Sequence, residues 1–208
     1  MTPAQKIALW ADQLRDLAAM GLIFNQDNYN APRYRTVQEI AMAMLALATA
    51  EDLAAMESLK APIFSRPTPI ISGDAAIIDA EGRILLIQRA DNSLWAMPGG
   101  ALEVGETPAE GVVREAFEET GVQSQALALI GVFDSRRCGT TSRHHLYHVT
   151  FLCQPLNGLG QEPSHANEIL DVRWFAQAEL PDTIDPGHIS RIPEAFRIWS
   201  GDQRAFFD

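Results

Sequence analysis

The segment that decides the fold runs from Gly100 to Val122 and reads Gly-Ala-Leu-Glu-Val-Gly-Glu-Thr-Pro-Ala-Glu-Gly-Val-Val-Arg-Glu-Ala-Phe-Glu-Glu-Thr-Gly-Val. It contains six glutamates and a single cation, Arg114. Three of these glutamates stand at positions i, i+3 and i+4, where like charges on a helix repel each other by roughly 0.2–0.5 kcal/mol per pair. The three are Glu115, Glu118 and Glu119. Their spacing indicates that a divalent metal ion supplies the missing positive charge.

The same segment predicts a helix over residues 108–120. Thr107 followed by Glu110 forms a capping box, and Pro108 occupies the first helical position. Gly121 ends the helix. At about 100° per residue, an apolar arc falls on one side and the three glutamates fall on the other. The arc consists of Val112, Val113, Ala116 and Phe117. We therefore expect one face to pack on a core and the other to turn its carboxylates outward.

Glu115 and Glu119 lie one helical turn apart, so their oxygens can converge on one hard cation or on a pair. Carboxylates, waters and substrate phosphates are the usual ligands of Mg²⁺, and the same donors suit Mn²⁺. A Pro98-Gly-Gly turn stands just upstream, where missing side chains let main-chain atoms approach an ion closely. Gly100, next to Gly99, is therefore a candidate main-chain ligand.

The segment resembles the Nudix box, Gly-x5-Glu-x7-Arg-Glu-U-x-Glu-Glu-x-Gly-U, in which U is a bulky aliphatic residue. All of the fixed positions are filled, and the departure is Ala116 at a U position, which loses bulk but no chemistry. The matching residues are Gly100, Glu106, Arg114, Glu115, Glu118, Glu119 and Gly121. The alternative interpretation of this segment is a solvated acidic helix with a good cap.

The resemblance assigns roles to the charged residues of the box. It implies that Glu115 and Glu119 are the main metal ligands and that Glu118 supports them. It also implies that Arg114 orients these carboxylates, with Glu106 as its partner. Glu115 and Glu118 are accordingly placed among the catalytic residues.

The resemblance further implies a metal-dependent pyrophosphohydrolase that uses activated water to cleave a phosphoanhydride. The expected substrate is a nucleoside diphosphate derivative similar to ADP-ribose or CDP-choline. The expected cofactor is Mg²⁺ or Mn²⁺. Two alternatives remain open: a hydrolase of nucleoside triphosphates or RNA ends, and a non-catalytic Nudix sensor that binds a nucleotide.

A general base for the attacking water is expected outside the box. Glu168 lies where a loop precedes a predicted strand, and we favour it over Glu162 and His165. A carboxylate that takes the proton of the water contributes about 10²- to 10⁴-fold to the rate. Glu168 is therefore the candidate base.

Three further residues are candidates for substrate contact. Arg136 and Arg137 follow a predicted strand and precede a polar loop, a place where phosphate-binding loops occur. Trp95 stands near the Pro-Gly-Gly turn, where it could stack on a base or belong to the core. We take all three as candidates, with core packing as the alternative for Trp95.

The first third of the chain predicts helices. Apolar residues recur at three- and four-residue steps from about residue 4 to residue 20, and Gly21 ends the pattern. A second helix follows Asn30, and Thr49 with Asp52 can cap a shorter third helix that reaches about Leu59.

Residues 61–73 contain Pro62, Pro67 and Pro69, which mark a linker. The expected organisation is thus a helical N-terminal subdomain over residues 1–60 and a Nudix hydrolase domain over residues 74–208. The helical region resembles the one found in ADP-ribose pyrophosphatase-like and CDP-choline pyrophosphatase-like Nudix enzymes. Two or three helices of this size bury too little surface to be stable alone. We therefore expect them to form a homodimer, with docking inside the same chain as the alternative.

The remainder alternates strands and helices. Residues 75–78 and 84–88 flank Ala80-Glu-Gly-Arg83, a hairpin signal. Further strands are predicted over residues 126–133, 146–153 and 170–175, and a closing helix is predicted near the C-terminal end. This pattern is consistent with the α/β fold that the resemblance implies, an α/β/α sandwich with a mixed sheet.

The composition limits the partners. A formal net charge of −11 disfavours binding to a nucleic-acid duplex. The two cysteines, Cys138 and Cys153, are too few for a disulfide framework. Without an apolar stretch of about 20 residues no membrane span is expected, and we predict a cytoplasmic protein.

Overall fold

The structure is a computed structural model. It describes residues 1–24, 29–54, 69–140, 145–156 and 166–208. The chain forms two compact units, Met1–Thr68 with Glu103–Gly105, and Pro69–Leu102 with Glu106–Asp208. Within the described ranges, no helix is long and apolar enough to cross a membrane. The third helix that we expected up to Leu59 lies outside the described residues from residue 55 onward.

The first unit contains helices α1, Pro3–Phe24, and α2, Ala31–Thr49. The prediction that Gly21 ends α1 is wrong, because the helix continues to Phe24. Gly21 serves close packing instead: a Cβ atom there would lie 2.3 Å from Cε1 of Tyr34 on α2. The absent side chain lets the two helices approach each other.

Small side chains fill the contact between α1 and α2. Their buried residues include Ala11, Ala18, Ala41, Met42 and Ala46. Several larger apolar side chains remain exposed on the same helices, to 46% at Trp10, 59% at Leu17, 49% at Ile40 and 73% at Leu47. The helical unit therefore does not cover its own apolar surface.

Among the described residues, the second unit contains the mixed sheet that we expected and, in addition, a smaller second sheet. The five-stranded sheet has the order β4-β1-β6-β5-β8 and mixes parallel with antiparallel pairs, whereas the three-stranded sheet β3-β2-β7 is antiparallel. The strands are β1 Ile70–Ile77, β2 Arg83–Arg89, β3 Trp95–Ala96, β4 Gly99–Ala101, β5 Ser124–Asp134, β6 Leu146–Pro155, β7 Ile169–Ala176 and β8 Phe206–Phe207.

Helices cover both sides of these sheets. Helix α3, Pro108–Thr120, packs on the side to which Ala75 and Ile77 point. The short helix α4, Pro186–Ile189, leads into α5, Arg191–Trp199, which packs on the side of Ala76 and Ile78. The alternation of side chains along β1 thus separates two cores. This arrangement confirms the α/β/α sandwich.

Two sequence-based expectations need correction at β1. The strand begins at Ile70, so residues 70–73 belong to the sheet although we placed them in the linker. The hairpin signal forms a real turn, in which Asp79 N–H donates to Arg83 O over 3.0 Å. After a bridge between Ile78 and Ile84, however, β1 and β2 diverge into different sheets. A turn motif reports local geometry and not the later pairing of its strands.

Candidate active site

Helix α3 begins as the sequence predicts. Thr107 Oγ1 accepts the N–H of Glu110 over 3.3 Å, and Glu110 Oε2 accepts the N–H of Thr107 over 2.8 Å. Gly121 follows the helix in the left-handed region at φ 69°. The capping box and the glycine exit fix which residues share a helical face. The predicted helix boundaries are therefore confirmed.

Arg114 is the centre of an ion-pair cluster on α3. Its guanidinium donates to both carboxylate oxygens of Glu106, over 3.0 and 2.9 Å. Its Nη1 also donates to Glu115 Oε1 and Glu118 Oε2, each over 3.0 Å. These carboxylates raise the pKa of Arg114 further above its ordinary value, with the hydrogen bonds to Glu106 as the largest cause. One cation thus orients three carboxylates.

Glu119 is buried, although we expected it on the outward face of α3. Its exposed fraction is 9%, and its Oε2 accepts the N–H of Gly99 over 2.8 Å. Burial is the largest cause that raises the pKa of Glu119 to about 8, and the negative charges of Glu115 and Glu168 raise it further. The helical spacing gave the correct face, but β4 covers one side of that face.

Gly99 and Gly100 belong to β4 rather than to a free turn. Gly99 pairs with Asp74 and Gly100 pairs with Gly73 in the antiparallel ladder with β1. A Cβ atom on Gly100 would lie 2.6 Å from Glu115 Oε2. The missing side chain therefore leaves room for a carboxylate directly against the main chain.

Glu168 lies at the edge of the same cluster. It ends a single 3₁₀ turn, Ala166–Glu168, immediately before β7, and its carbonyl accepts the N–H of Ala90 over 2.8 Å. Its side chain is exposed, and its charge acts on Glu119. The two other candidate bases, Glu162 and His165, lie outside the described residues.

The donor set fits a hard cation, but the carboxylates are not gathered around one point. Among the residues that the structure describes, no group of three or more His, Cys, Asp and Glu side chains is placed to hold a metal ion. Glu115 and Glu118 are directed to Arg114, and Glu119 is directed to Gly99. Carboxylates and a main-chain carbonyl are the donors that Mg²⁺ and Mn²⁺ prefer.

Arg89 is a site residue that the sequence did not single out. It ends β2, binds Asp91 through Nε and Nη2 over 3.0 and 2.8 Å, and lies close enough to Glu119 for their charges to interact. A guanidinium in this place is suited to a phosphate. The available signal was its position one residue beyond the predicted strand end at Gln88.

The other substrate candidates differ in their exposure. Arg136 and Arg137 are exposed, and the Arg136 guanidinium binds Asp134 over 2.9 Å. Trp95 is 7% exposed and packs edge-to-face on Phe175 with ring centroids 4.9 Å apart. This packing opposes stacking of Trp95 on a substrate base.

The fold and the carboxylate cluster on α3 together define the class of Nudix hydrolases. The chain belongs to the Nudix family: the NUDIX domain model matches residues 71–195. Residues 5–59 match the domain described as UDP-X-like, N-terminal oligomerisation domain. The resemblance drawn from the box alone is confirmed.

Named relatives and one solved structure match between half and nearly all of the chain. A Bacillus subtilis protein named "Putative ADP-ribose pyrophosphatase YjhB" is 31% identical over 82% of this chain and 81% of its own length. A solved structure of a UDP-X diphosphatase covers 98% of both chains at 26% identity, with a TM-score of 0.59. A second Bacillus subtilis protein, named "Putative 8-oxo-dGTP diphosphatase", is 32% identical over 50% of this chain and 65% of its own length.

Proposed function

We propose that the protein is a Mg²⁺- or Mn²⁺-dependent pyrophosphohydrolase that cleaves a nucleoside diphosphate derivative with water. The observation that carries this proposal is the grouping of Glu119 with Glu115 and Glu168 beside the Gly99 and Gly100 main chain. The pKa of Glu119 is raised to about 8 in this grouping, so the site favours a proton or a cation. A polyanionic diphosphate strengthens the demand for a cation.

In this proposal Glu115, Glu119 and the main chain of Gly100 hold the metal, and Glu118 supports them. The metal, when bound, neutralises diphosphate charge and lowers the pKa of the attacking water. Glu168 accepts the proton of that water.

Arg114 and Glu106 have a separate role. The bidentate pair fixes the guanidinium, which then holds Glu115 and Glu118 close to their working positions. Without a metal, the same guanidinium offsets part of the carboxylate repulsion. Arg114 is thus a positioning residue in the proposed mechanism.

The extent of the similarities favours a diphosphate derivative as substrate, of the ADP-ribose-like or CDP-choline-like kind. The relatives named for ADP-ribose and UDP-X cleavage cover 82% and 98% of this chain. The relative named for 8-oxo-dGTP covers 50% of it, so the more extensive similarities support a diphosphate derivative.

A substrate panel tests the proposed function. Purified protein with Mg²⁺ or Mn²⁺ is assayed on ADP-ribose, CDP-choline and UDP-glucose, and on 8-oxo-dGTP, ATP and a 5′-triphosphate RNA. We expect kcat/KM to be at least about 10-fold higher for one of the diphosphate derivatives than for any triphosphate. Preference for a triphosphate would establish the first alternative. Nucleotide binding without any turnover would establish the sensor.

We also propose that α1 and α2 mediate a homodimer. The support is the match to an oligomerisation domain and the exposure of Leu17 and Leu47, to 59% and 73%. Exposed apolar side chains on neighbouring helices are typical of an interface between subunits.

The dimer is tested by light scattering after size-exclusion chromatography. The double variant Leu17→Glu/Leu47→Glu should have about half of the wild-type mass, because buried unpaired charges are unfavourable in an interface. Arg35→Glu introduces the same charge at an exposed, already polar position of α2 and should leave the mass unchanged. A monomeric wild type, or a double variant that remains dimeric, would contradict the proposed interface.

A further inference from the structure

The chain passes from one sheet to the other immediately before the glycines of the candidate metal site. Strand β3 ends at Ala96 in the three-stranded sheet, and β4 begins at Gly99 in the five-stranded sheet. Met97 therefore lies between two ladders, and it is 2% exposed. Its buried N–H needs an acceptor from elsewhere in the fold.

His188 on α4 provides that acceptor. The N–H of Met97 donates to Nδ1 of His188 over 3.3 Å. Because Nδ1 accepts, the ring is neutral and carries its proton on Nε2. Burial lowers the pKa of His188 well below its ordinary value, and the charge of Arg191 lowers it further. The acceptor is therefore maintained at neutral pH.

Main-chain pairing with β3 places α4 at this position. Trp95 donates its N–H to Thr183 O, and Asp185 donates its N–H to Trp95 O, each over 2.8 Å. Asp185 then caps α4, since its Oδ1 accepts the N–H of Gly187 over 2.9 Å. The segment that carries His188 is thus tied to the strand that ends just before Met97.

Arg191 anchors the neighbouring strand from the same segment. It is 1% exposed, donates from Nε to Gly187 O over 2.7 Å, and forms a buried ion pair with Asp74. Asp74 is the β1 residue in register with Gly99. His188 and Arg191 therefore hold the two stretches of chain that meet at Gly99.

Three consecutive residues connect His188 to the carboxylates. Met97 N–H is held by His188, Pro98 O accepts the N–H of Ala75 over 2.8 Å, and Gly99 N–H donates to Glu119 over 2.8 Å. The peptide that ends at Met97 N–H is thus held by His188, and the Pro98–Gly99 peptide is held by Ala75 and Glu119. A shift at Met97 is transmitted to Gly99 because the planar Met97–Pro98 peptide and the fixed φ of Pro98 leave few free rotations between the two residues.

We propose that His188 is a positioning residue for the metal site: its Nδ1 fixes the Met97–Gly100 main chain so that Gly99 orients Glu119 and Gly100 is presented to the metal. This inference rests on the metal site proposed above. The part that matters is the acceptor atom, not the ring, so a side chain with an acceptor in the same place should substitute for it.

Two variants that are isosteric with each other test this positioning role directly. In His188→Asn the amide oxygen can occupy the place of Nδ1. The Leu side chain in His188→Leu has the same branched shape as Asn but has no acceptor. Mn²⁺ binding to the full chain is measured from the electron paramagnetic resonance signal of free Mn²⁺, with thermal unfolding of each variant alongside. We expect the Leu variant to bind Mn²⁺ at least about 10-fold more weakly and the Asn variant to stay within about 3-fold of wild type.

The outcomes separate the two proposals. If wild type binds no Mn²⁺, the proposed metal site is wrong and the positioning role falls with it. If wild type binds and the Leu variant binds equally well, or the Asn variant is as weak as the Leu variant, the positioning role alone is overturned.

A measurement on wild type keeps the inference testable if the Leu variant does not fold. Nitrogen-15 NMR of labelled histidines reports which ring nitrogen carries the proton. We expect His188 to be neutral with its proton on Nε2 and with Nδ1 in the chemical-shift range of a hydrogen-bond acceptor. A proton on Nδ1 would overturn the inference.

Discussion

Replacing Glu119 by Gln is expected to lower kcat by about 10³-fold or more, because a metal ion supplies several kcal/mol of transition-state stabilisation and each 1.36 kcal/mol is tenfold in rate. The amide oxygen of Gln can still accept the N–H of Gly99, which now lies 2.8 Å from Glu119 Oε2. The variant therefore removes the charge and keeps the local geometry. Steady-state kinetics over a Mn²⁺ titration measures the effect, and Mn²⁺ affinity should fall in parallel.

Glu110→Gln is the matched control for this prediction. Glu110 lies on the same helix, but its carboxylate caps Thr107 rather than facing the cluster. We expect its activity to stay within about two-fold of wild type, as for other surface substitutions. If Glu119→Gln retains activity within the same range, Glu119 is not a metal ligand.

Glu119→Gln should also change how stability depends on pH in the metal-free protein. The pKa of Glu119 is raised from its ordinary 4.5 to about 8, so the folded chain keeps a proton that the unfolded chain releases in this window. The stability of wild type relative to the variant is greatest below pH 4.5 and is lost as pH rises through about 8. Urea unfolding at several pH values with a chelator checks this difference.

Replacing Glu168 by Gln is expected to lower kcat by about 10²- to 10⁴-fold with little change in Mn²⁺ affinity. The reason is its place at the edge of the cluster: its charge acts on Glu119, yet its side chain is exposed and can meet the attacking water. A loss of proton transfer slows the chemical step and leaves metal binding intact. Single-turnover kinetics with saturating Mn²⁺ isolates that step.

Glu179→Gln controls for the local structure around Glu168. Glu179 also ends a single 3₁₀ turn, Gln177–Glu179, and is exposed, but it lies at the other end of β7. Its replacement should leave kcat unchanged. Turnover of Glu168→Gln within a few-fold of wild type would remove Glu168 from the mechanism, and a parallel loss of Mn²⁺ affinity would make it a ligand instead of a base.

Local signals in the sequence carried the prediction of α3 and of the family. The capping box at Thr107, the exit at Gly121 and the box glutamates all lie within one short segment, where hydrogen bonds join residues close in the chain. The resemblance to the contiguous box also implied that Arg114 would pair with Glu106, and the two side chains form an ion pair over 2.9 Å. These features need no knowledge of the rest of the fold.

The same local reasoning failed where distant segments meet. The hairpin turn at Asp79 is present, but β1 pairs with β4 and β6, whereas β2 pairs with β3 and β7. Glycine is typical of a helix end, yet Gly21 lies within α1 and gives room to the ring of Tyr34. Pairing and packing depend on which surfaces become neighbours, and a turn or a helix period does not contain that information.

The sequence by itself determined that this is a Nudix protein with a capped helix that bears carboxylates, because the motif is contiguous and its geometry is helical. Only the tertiary structure decided that β4 buries Glu119 and that the charges of Glu168 and Arg89 act on the same cluster. It also decided that His188 accepts the N–H of Met97 where the chain passes from one sheet to the other. The physical reason is that burial and charge interaction depend on distance in space, which for these residues is set by strand pairing across most of the domain.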